Sequence, residues 1–205
     1  MATTLAEVNQ LKHAPVGGML PALSHRWSPR AFTETPVSLD DLKTVLEAAR
    51  WAASSGNEQP SRFLVGVQGS ETHDKIFSAL VSFNRSWAGK AGVLLLGFAK
   101  LKNAKGAPNA YALYDLGQAA SQLTTQATAL GLATHSMAGF DHEAVRREFS
   151  LSAEECVIGA VIALGYQGEP KSLGNEQLLE REIAPRERKP LSELMLTALD
   201  TPFQF

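Results

Sequence analysis

Two short, unbroken apolar runs constrain the fold most. Residues 91–100 read AGVLLLGFAK, and residues 156–166 read CVIGAVIALGY. A strand with one exposed face alternates apolar and polar residues, whereas continuous runs of this length are typical of strands that are covered on both faces. A third short apolar run, RFLVGVQ at residues 62–68, ends before Gly69. The sequence therefore predicts one central sheet with helices on both sides.

Amphipathic patterns place helices between these strands. Residues 38–53 have apolar side chains at helical spacing, and Ser38 and Asp41 have the spacing of a capping box. A long helix is predicted at residues 108–130, where Asp115 is the only charged residue. We expect so uncharged a helix to be buried between the sheet and either another helix or a partner subunit. The remaining predictions are helices at residues 71–81, 141–149 and 191–199, and a short strand or loop at residues 133–140.

Length and composition favour one domain. A chain of 205 residues can bury a sizeable core, and its 44% hydrophobic and 20% charged residues are ordinary for a soluble globular protein. We expect residues 18–205 to form this domain. Residues 1–17 are expected to form an adaptable arm that leads to the first structured element near Met19.

Charge, hydropathy and cysteine content exclude several classes of protein. A pI near 6.2 gives no reason to expect a nucleic-acid partner, and no stretch reaches the roughly 18 apolar residues of a membrane span. The only cysteine is Cys156, so no intrachain disulfide forms, and no cluster offers four zinc ligands. The first residues lack the apolar segment of a signal peptide. We therefore expect a cytoplasmic protein without a bound metal.

Local positive charge marks the first candidate site. The segment SHRWSPRAF sets Arg26 and Arg30 around Ser28, and Pro29 disfavours a simple helix there. Two guanidiniums and a hydroxyl bind a phosphate through charge-assisted hydrogen bonds, and the basic run RERK at residues 186–189 offers a second side to such a site. Surface salt bridges explain the same residues equally well.

A turn after the first long helix is the second candidate. The sequence SSGNEQP supplies four short polar side chains, which could bind a polyhydroxyl chain: Ser54, Ser55, Asn57 and Gln59. Turns use the same residue types to satisfy their own backbone, so a plain turn is the alternative.

Several isolated residues carry less information. Spacing typical of metal ligands is absent for three histidines: His73, His135 and His142. Cys156 begins an apolar run, which favours a buried small side chain over a nucleophile. Three aromatic residues either border a substrate pocket or pack in the core or at a subunit interface: Phe83, Trp87 and Phe140.

Five motifs occur together in a characteristic order and spacing: RWSPRAF, LEAARWAASSGNEQPSRFLV, ALGLATHSMAGFD, ALGY and RERKPLSEL. From about Leu20 to Leu194, the chain thereby resembles the nitroreductase-like FMN-dependent oxidoreductases. The resemblance implies an α+β fold of three layers, with a mostly antiparallel central sheet flanked by helices. It also implies an intertwined homodimer with FMN bound across the subunit interface.

The resemblance also implies roles for particular residues. Those at the FMN phosphate are Arg26, Trp27 through its backbone or ring, Ser28, Arg188 and, as a second cation, Arg186. Arg30 lies beside the flavin pyrimidine, where positive charge stabilises the negative charge that develops around N1 and O2 on reduction. Asn84 lies near the pyrimidine edge, and a backbone N–H around Ala138 or Gly139 faces N5.

Other parts of the resemblance concern the partner subunit and departures from the family pattern. The residues expected to reach the ribityl and phosphate region from the partner are Ser54, Ser55, Asn57 and Gln59. Ser61 replaces a tryptophan that is common in relatives, and Trp87 lies where some members have a basic residue. Asp115 is either a polar residue near the partner's flavin or a member of a buried ion pair.

The implied activity is that of an FMN-dependent NAD(P)H oxidoreductase. Such an enzyme takes a hydride from NADH or NADPH and reduces a nitroaromatic, a quinone or a similar flat acceptor in a ping-pong reaction. The chemistry is on FMN, so no catalytic side chain is predicted. The alternatives are an FMN-binding sensor or interaction protein without efficient turnover, and a flavin oxidase or dehydrogenase of a specific metabolite.

Overall fold

The two unbroken apolar runs form the middle strands of one sheet. In the computed structural model, which describes residues 4–205, β2 (Val93–Lys100) pairs with β4 (Cys156–Gly165). The edge strand β1 (Ser61–Val67) pairs with β2, and the other edge strand, β3 (Ala133–Met137), pairs with β4. All three pairings are antiparallel, in the order β1–β2–β4–β3.

Helices cover both faces of this sheet. In chain order the helices are α1 (Leu5–Lys12), α2 (Pro21–Ser24), α3 (Leu39–Arg50), α4 (Glu71–Ala79), α5 (Ser82–Ala88), α6 (Ala112–Ala129), α7 (His142–Phe149), α8 (Glu176–Ile183) and α9 (Leu191–Leu194). A two-stranded hairpin, β5 (Leu196–Ala198) and β6 (Thr201–Pro202), follows α9. No helix in residues 4–205 is long and apolar enough to cross a membrane.

Alternation along β2 divides the apolar residues between two cores. Val93 and Leu95 pack with residues of α3 and α6, whereas Leu94 and Leu96 pack with residues of α4, α5, α7 and α8. All four side chains are at most 1% exposed, because successive residues of a strand point to opposite faces and both faces are covered. The predicted three-layer α+β fold is confirmed, with an antiparallel central sheet; the intertwined homodimer stays a prediction.

The first structured element begins earlier than predicted. Helix α1 starts at Leu5 rather than near Met19, because Thr4 and Glu7 form a capping box at its beginning. Val8 of α1 is fully buried, so the helix is fixed to the rest of the protein. The predicted arm of residues 1–17 therefore contains a packed helix, and residues 1–3 lie outside the described residues.

Three other predicted helices have different bounds. The helix predicted at residues 71–81 ends at Ala79, because Leu80 is extended and forms a bridge with Phe140; a separate helix, α5, follows it. The long helix predicted at residues 108–130 begins only at Ala112. The C-terminal helix predicted at residues 191–199 ends at Leu194, and the β5–β6 hairpin replaces its second half.

Candidate functional site

The two basic segments meet in one cleft. A cavity of about 320 Å³, here called the cationic cleft, lies between the loop that follows α2 and the segment that follows α8. Its lining consists of Lys12, Arg26, Trp27, Ser28, Arg30, Arg181, Pro185, Arg186, Glu187 and Arg188. Residues that are 160 positions apart in the chain thus come together, as the arrangement of the two motifs predicts.

Hydrogen bonds fix the arginines of this cleft. Arg186 donates to the carbonyl oxygens of Arg26 and, at 3.2 Å, Ser24, which fastens the two segments to each other. Nη1 of Arg26 donates to Oγ of Ser28 at 3.3 Å, and Arg188 donates to the carbonyl oxygen of Glu187 at 2.7 Å. All of these acceptors are uncharged, so the contacts hold the guanidiniums without neutralising their charge.

In the described part of the chain, three arginines of the cleft lack a carboxylate partner. Among residues 4–205, no salt bridge involves Arg26, Arg186 or Arg188. Burial lowers the pKa of Arg26, and the charges of Arg186 and Arg188 lower it further. Burial and Arg188 also lower the pKa of Arg186. An anion in the cleft would relieve this repulsion, so the residues present fit a phosphate group and the salt-bridge alternative fails for these three arginines.

Arg30 differs from the other arginines because it has a carboxylate partner. Its Nη1 lies 4.0 Å from Oε2 of Glu182, a residue of α8 that is fully buried. The Arg30 guanidinium also lies 6.0 Å from the centre of the Phe83 ring. The salt-bridge alternative therefore applies to Arg30, whose predicted place beside the flavin stays a prediction.

Helix α1 holds the ring of Trp27. The indole Nε1 donates to Oδ1 of Asn9 at 2.8 Å, and Nζ of Lys12 lies 4.9 Å from the ring centre. Trp27 is only 8% exposed. Because Asn9 already uses the indole N–H, that group is not available to a ligand, and the predicted contact of Trp27 with the FMN phosphate stays a prediction.

The turn that follows α3 lies apart from the cationic cleft. Gln59 donates its backbone N–H to Oγ of Ser54 at 2.9 Å, and Gly56, Asn57 and Gln59 all have positive φ, between 48° and 58°. Left-handed backbone at two residues other than glycine is costly, and such strain is concentrated at functional sites. Ser54 and Gln59 line a different cavity from Arg26, and the predicted contact of this turn with FMN from a partner subunit stays a prediction.

Asp115 supports the same turn through its side-chain carboxylate. It is 2% exposed, and both of its carboxylate oxygens accept the backbone N–H of Ser55 at 3.2 Å. No salt bridge in the described part of the chain includes Asp115, so the ion-pair alternative is wrong within the protomer. Its carboxylate instead satisfies a backbone donor where α3 gives way to the turn.

Asn84 is bound to the loop that contains Ala138 and Gly139. Its Nδ2 donates to the carbonyl oxygen of Gly139 at 2.9 Å, and the N–H of Val81 donates to the same oxygen at 3.1 Å. A Cβ atom at Gly139 would lie 2.8 Å from Nδ2 of Asn84 and 3.0 Å from Cγ2 of Val81, so a larger residue would have to displace these two side chains. The structure thus brings together three predicted flavin neighbours, and Asn84 fixes the loop.

His135, one of the isolated histidines of the sequence, has a contact beside the site that its sequence position did not indicate. Its Nδ1 lies 2.9 Å from the carbonyl oxygen of Pro29 and therefore carries the ring proton, because a carbonyl oxygen can only accept. This bond ties β3 to the segment that holds Arg26 and Arg30. Burial lowers the pKa of His135 to about 4, and the charges of Arg30 and Arg26 contribute to that lowering.

The remaining candidates lie mainly in the interior. Trp87 and Phe140 are 3% and 6% exposed and belong to one core cluster, so the core alternative holds for both. Phe83 is partly buried and lies under the guanidiniums of Arg30 and Arg181. Cys156 is buried and unpaired, as the sequence predicts.

Within residues 4–205, no group of three or more His, Cys, Asp or Glu side chains could hold a metal ion.

Comparisons with known proteins agree with this geometry. A protein from Archaeoglobus fulgidus, named as a proposed NADH dehydrogenase/NAD(P)H nitroreductase, is 27% identical over 71% of this chain and 83% of its own length. A solved structure of an oxidoreductase containing FMN is 30% identical, with a TM-score of 0.82 over 91% of this chain and 94% of that one.

A second solved structure supports the fold. It is a proposed nitroreductase from Desulfovibrio desulfuricans in complex with FMN, 24% identical, with a TM-score of 0.72 over 92% of this chain and 99% of that one. The profile of the Nitroreductase family matches residues 23–166, from the end of α2 through the last strand of the main sheet. On this match, the chain belongs to the nitroreductase family of oxidoreductases.

Proposed function

We propose that this protein is an FMN-dependent NAD(P)H oxidoreductase that reduces nitroaromatics, quinones or similar flat acceptors. The observation that carries the proposal is the cationic cleft, in which Arg26, Arg186 and Arg188 lie close together without a carboxylate partner. A phosphate monoester supplies the missing negative charge. The FMN in the solved relative that is 30% identical to this chain supports the same ligand.

The chain's own residues would hold FMN at both ends. Arg26, Ser28, Arg186 and Arg188 would bind the phosphate, and the Ala138–Gly139 loop, fixed by Asn84, would offer its backbone to the ring. When bound, FMN would supply the redox chemistry, which is hydride transfer from NAD(P)H and reduction of the acceptor in a ping-pong order. The side chains therefore bind and orient, and none has to act as a nucleophile or general acid.

The choice of electron donor rests on different support. The name of the Archaeoglobus fulgidus relative includes both NADH and NAD(P)H, which supports a nicotinamide donor without choosing between the two. The chain has no G-x-G-x-x-G fingerprint of its own, which suits a nicotinamide that visits the flavin pocket. We place this activity in the single domain predicted at residues 18–205, to which helix α1 (Leu5–Lys12) also belongs because it packs on the domain and lines the cleft. The cytoplasm remains our proposed location, since the only cysteine is buried and free.

A homodimer would complete the proposed site. The segment after Arg186 is exposed along its whole length although it contains regular structure. Its exposed apolar residues are Leu191, Leu194, Met195, Leu196, Leu199, Phe203 and Phe205. The outer side of α6 exposes Leu113 and Tyr114 and carries no charge. Exposed apolar residues in such number favour a subunit interface, and a partner would also bring the Ser54–Gln59 turn to FMN.

Two spectroscopic measurements test this function. The purified protein is expected to be yellow and to release FMN when it is denatured. In anaerobic stopped-flow experiments, NADH or NADPH should bleach the flavin absorbance, and a quinone or nitroaromatic should restore it. Bleaching by neither nucleotide would refute the reductase and leave FMN binding without turnover, or oxidation of a specific metabolite, as the function.

A further inference from the structure

A buried carboxylate lies behind the cationic cleft. Glu182 has an exposure of 0% and lies on α8, four residues after buried Leu178. A glutamate on the apolar face of a helix is costly unless it is paired and hydrogen-bonded. The groups that pair with Glu182 therefore indicate its role.

Those partners belong to the segment that carries Arg30. The backbone N–H of Arg30 donates to both carboxylate oxygens of Glu182 at 3.0 Å, and the N–H of Ala31 donates to Oε1 at 3.1 Å. Nη1 of Arg30 lies 4.0 Å from Oε2. One carboxylate thus fixes the backbone of this segment and also faces the guanidinium that it carries.

The charges around Glu182 are positive on two sides. Arg30 faces it from the loop, and Lys12 acts on it from α1. Burial raises the pKa of Glu182, while the N–H donors of Ala31 and Arg30 and the charges of Arg30 and Lys12 lower it. The net effect is a pKa above the ordinary value, with burial as the largest cause. The backbone donors on both oxygens and the two nearby cations favour the ionised form, which is the form the Arg30 contact requires.

We propose that Glu182 is a positioning residue that holds the Arg26–Arg30 segment in place and attenuates the positive charge of Arg30 toward bound flavin. This proposal rests on the proposed FMN site. Positive charge beside the ring stabilises the negative charge that the flavin gains on reduction, so a carboxylate that offsets Arg30 lowers the reduction potential. Glu182 would thereby set how strongly the reduced protein donates electrons.

The substitution Glu182→Gln removes the charge and nearly preserves the shape. Its Oε1 can still accept the N–H groups of Arg30 and Ala31, whereas the negative charge opposite Arg30 is lost. Reduced FMN should then bind about tenfold more tightly relative to oxidised FMN. For a two-electron couple, that ratio raises the midpoint potential by about 30 mV.

Two further variants separate charge from position. Glu182→Asp keeps the charge but withdraws the carboxylate from the backbone donors. It should weaken the binding of oxidised FMN at least tenfold and leave the potential closer to that of the parent protein than Glu182→Gln does. Glu180→Gln removes an exposed charge from the same helix and should change neither property, which makes it the matched control.

The experiment measures FMN dissociation constants by fluorescence quenching and midpoint potentials by spectroelectrochemistry at pH 8. A higher potential in Glu182→Gln, with the control unchanged, supports the proposal; equal potentials in parent and Glu182→Gln overturn it. If Glu182→Gln does not fold, unchanged FMN affinity in Glu182→Asp overturns the positioning role. If the parent protein itself binds no FMN, the proposed function fails first, and this result is distinct from equal potentials in flavin-loaded proteins.

Discussion

Acidification should destabilise this protein through one partly buried histidine, His135. The pKa of His135 lies at about 4 in the folded protein, against an ordinary value of 6.5. Because the folded-state pKa is the lower one, the neutral ring contributes stability above pH 6.5, and this contribution is lost as the pH falls toward 4. A tenfold difference in proton affinity corresponds to about 1.4 kcal/mol, so the complete loss is about 3 kcal/mol. Between pH 7 and pH 5 the loss is about 2 kcal/mol.

Urea unfolding at pH 7 and pH 5 measures this contribution in the parent protein and in His135→Gln. The glutamine amide can still donate to the carbonyl oxygen of Pro29 but does not titrate. The free energy of unfolding should fall by about 2 kcal/mol more in the parent than in the variant. Exposed His142 provides the control, since His142→Gln should keep the parent's pH dependence. Equal pH dependence in the parent and His135→Gln would refute the argument from burial.

Three further predictions address the site and the assembly. Arg26→Ala should weaken FMN binding by about 1.5 to 3 kcal/mol, roughly 10- to 150-fold by fluorescence titration, because a phosphate charge pair is lost. Gly139→Ala should lower the free energy of unfolding by about 1 to 3 kcal/mol, since its Cβ meets Nδ2 of Asn84 at 2.8 Å. Deletion of residues 191–205 should convert a dimer into monomers in sedimentation experiments, because it removes the exposed apolar segment.

Each of these predictions has a matched control or an opposing result. Exposed Arg147→Ala on α7 should keep the parent's FMN affinity, and an equal affinity in Arg26→Ala would reject the phosphate assignment. A Cβ at Gly17 meets nothing within 4 Å, so Gly17→Ala should leave the stability unchanged. A mass near 22.0 kDa for the FMN-loaded full chain, independent of concentration, would contradict the dimer.

The strands of the sheet could be predicted because their local composition indicates burial on both faces. The runs around Val93 and Cys156 contain almost no polar residue, and only a sheet covered on both sides accommodates them. Helix α1 also has a local signal, the capping box of Thr4 and Glu7, which the sequence reasoning overlooked. The end of α9 at Leu194 has no such local signal. The residues after Leu194 are exposed in the protomer, so no core contact selects their structure, and local propensity alone does not decide between helix and hairpin.

Some residues of the candidate site could likewise be predicted from the sequence, and others could not. Arg26 and Arg188 could be predicted to meet because the motifs around them occur in a familiar order and spacing. Glu182 and His135 could not, since their roles depend on partners more than 100 positions away, at Arg30 and Pro29. A buried Glu and an isolated His look like surface residues until the tertiary contacts are known.

The most direct test of the central claim compares FMN with riboflavin as ligands of the flavin-free protein. The two share the ring and the ribityl chain, so the difference in binding free energy reports the phosphate alone. If Arg26, Arg186 and Arg188 hold that phosphate, calorimetry should find FMN bound at least 100-fold more tightly, about 3 kcal/mol, with the difference shrinking as salt is added. Equal affinities for the two flavins would show that these arginines serve some other purpose.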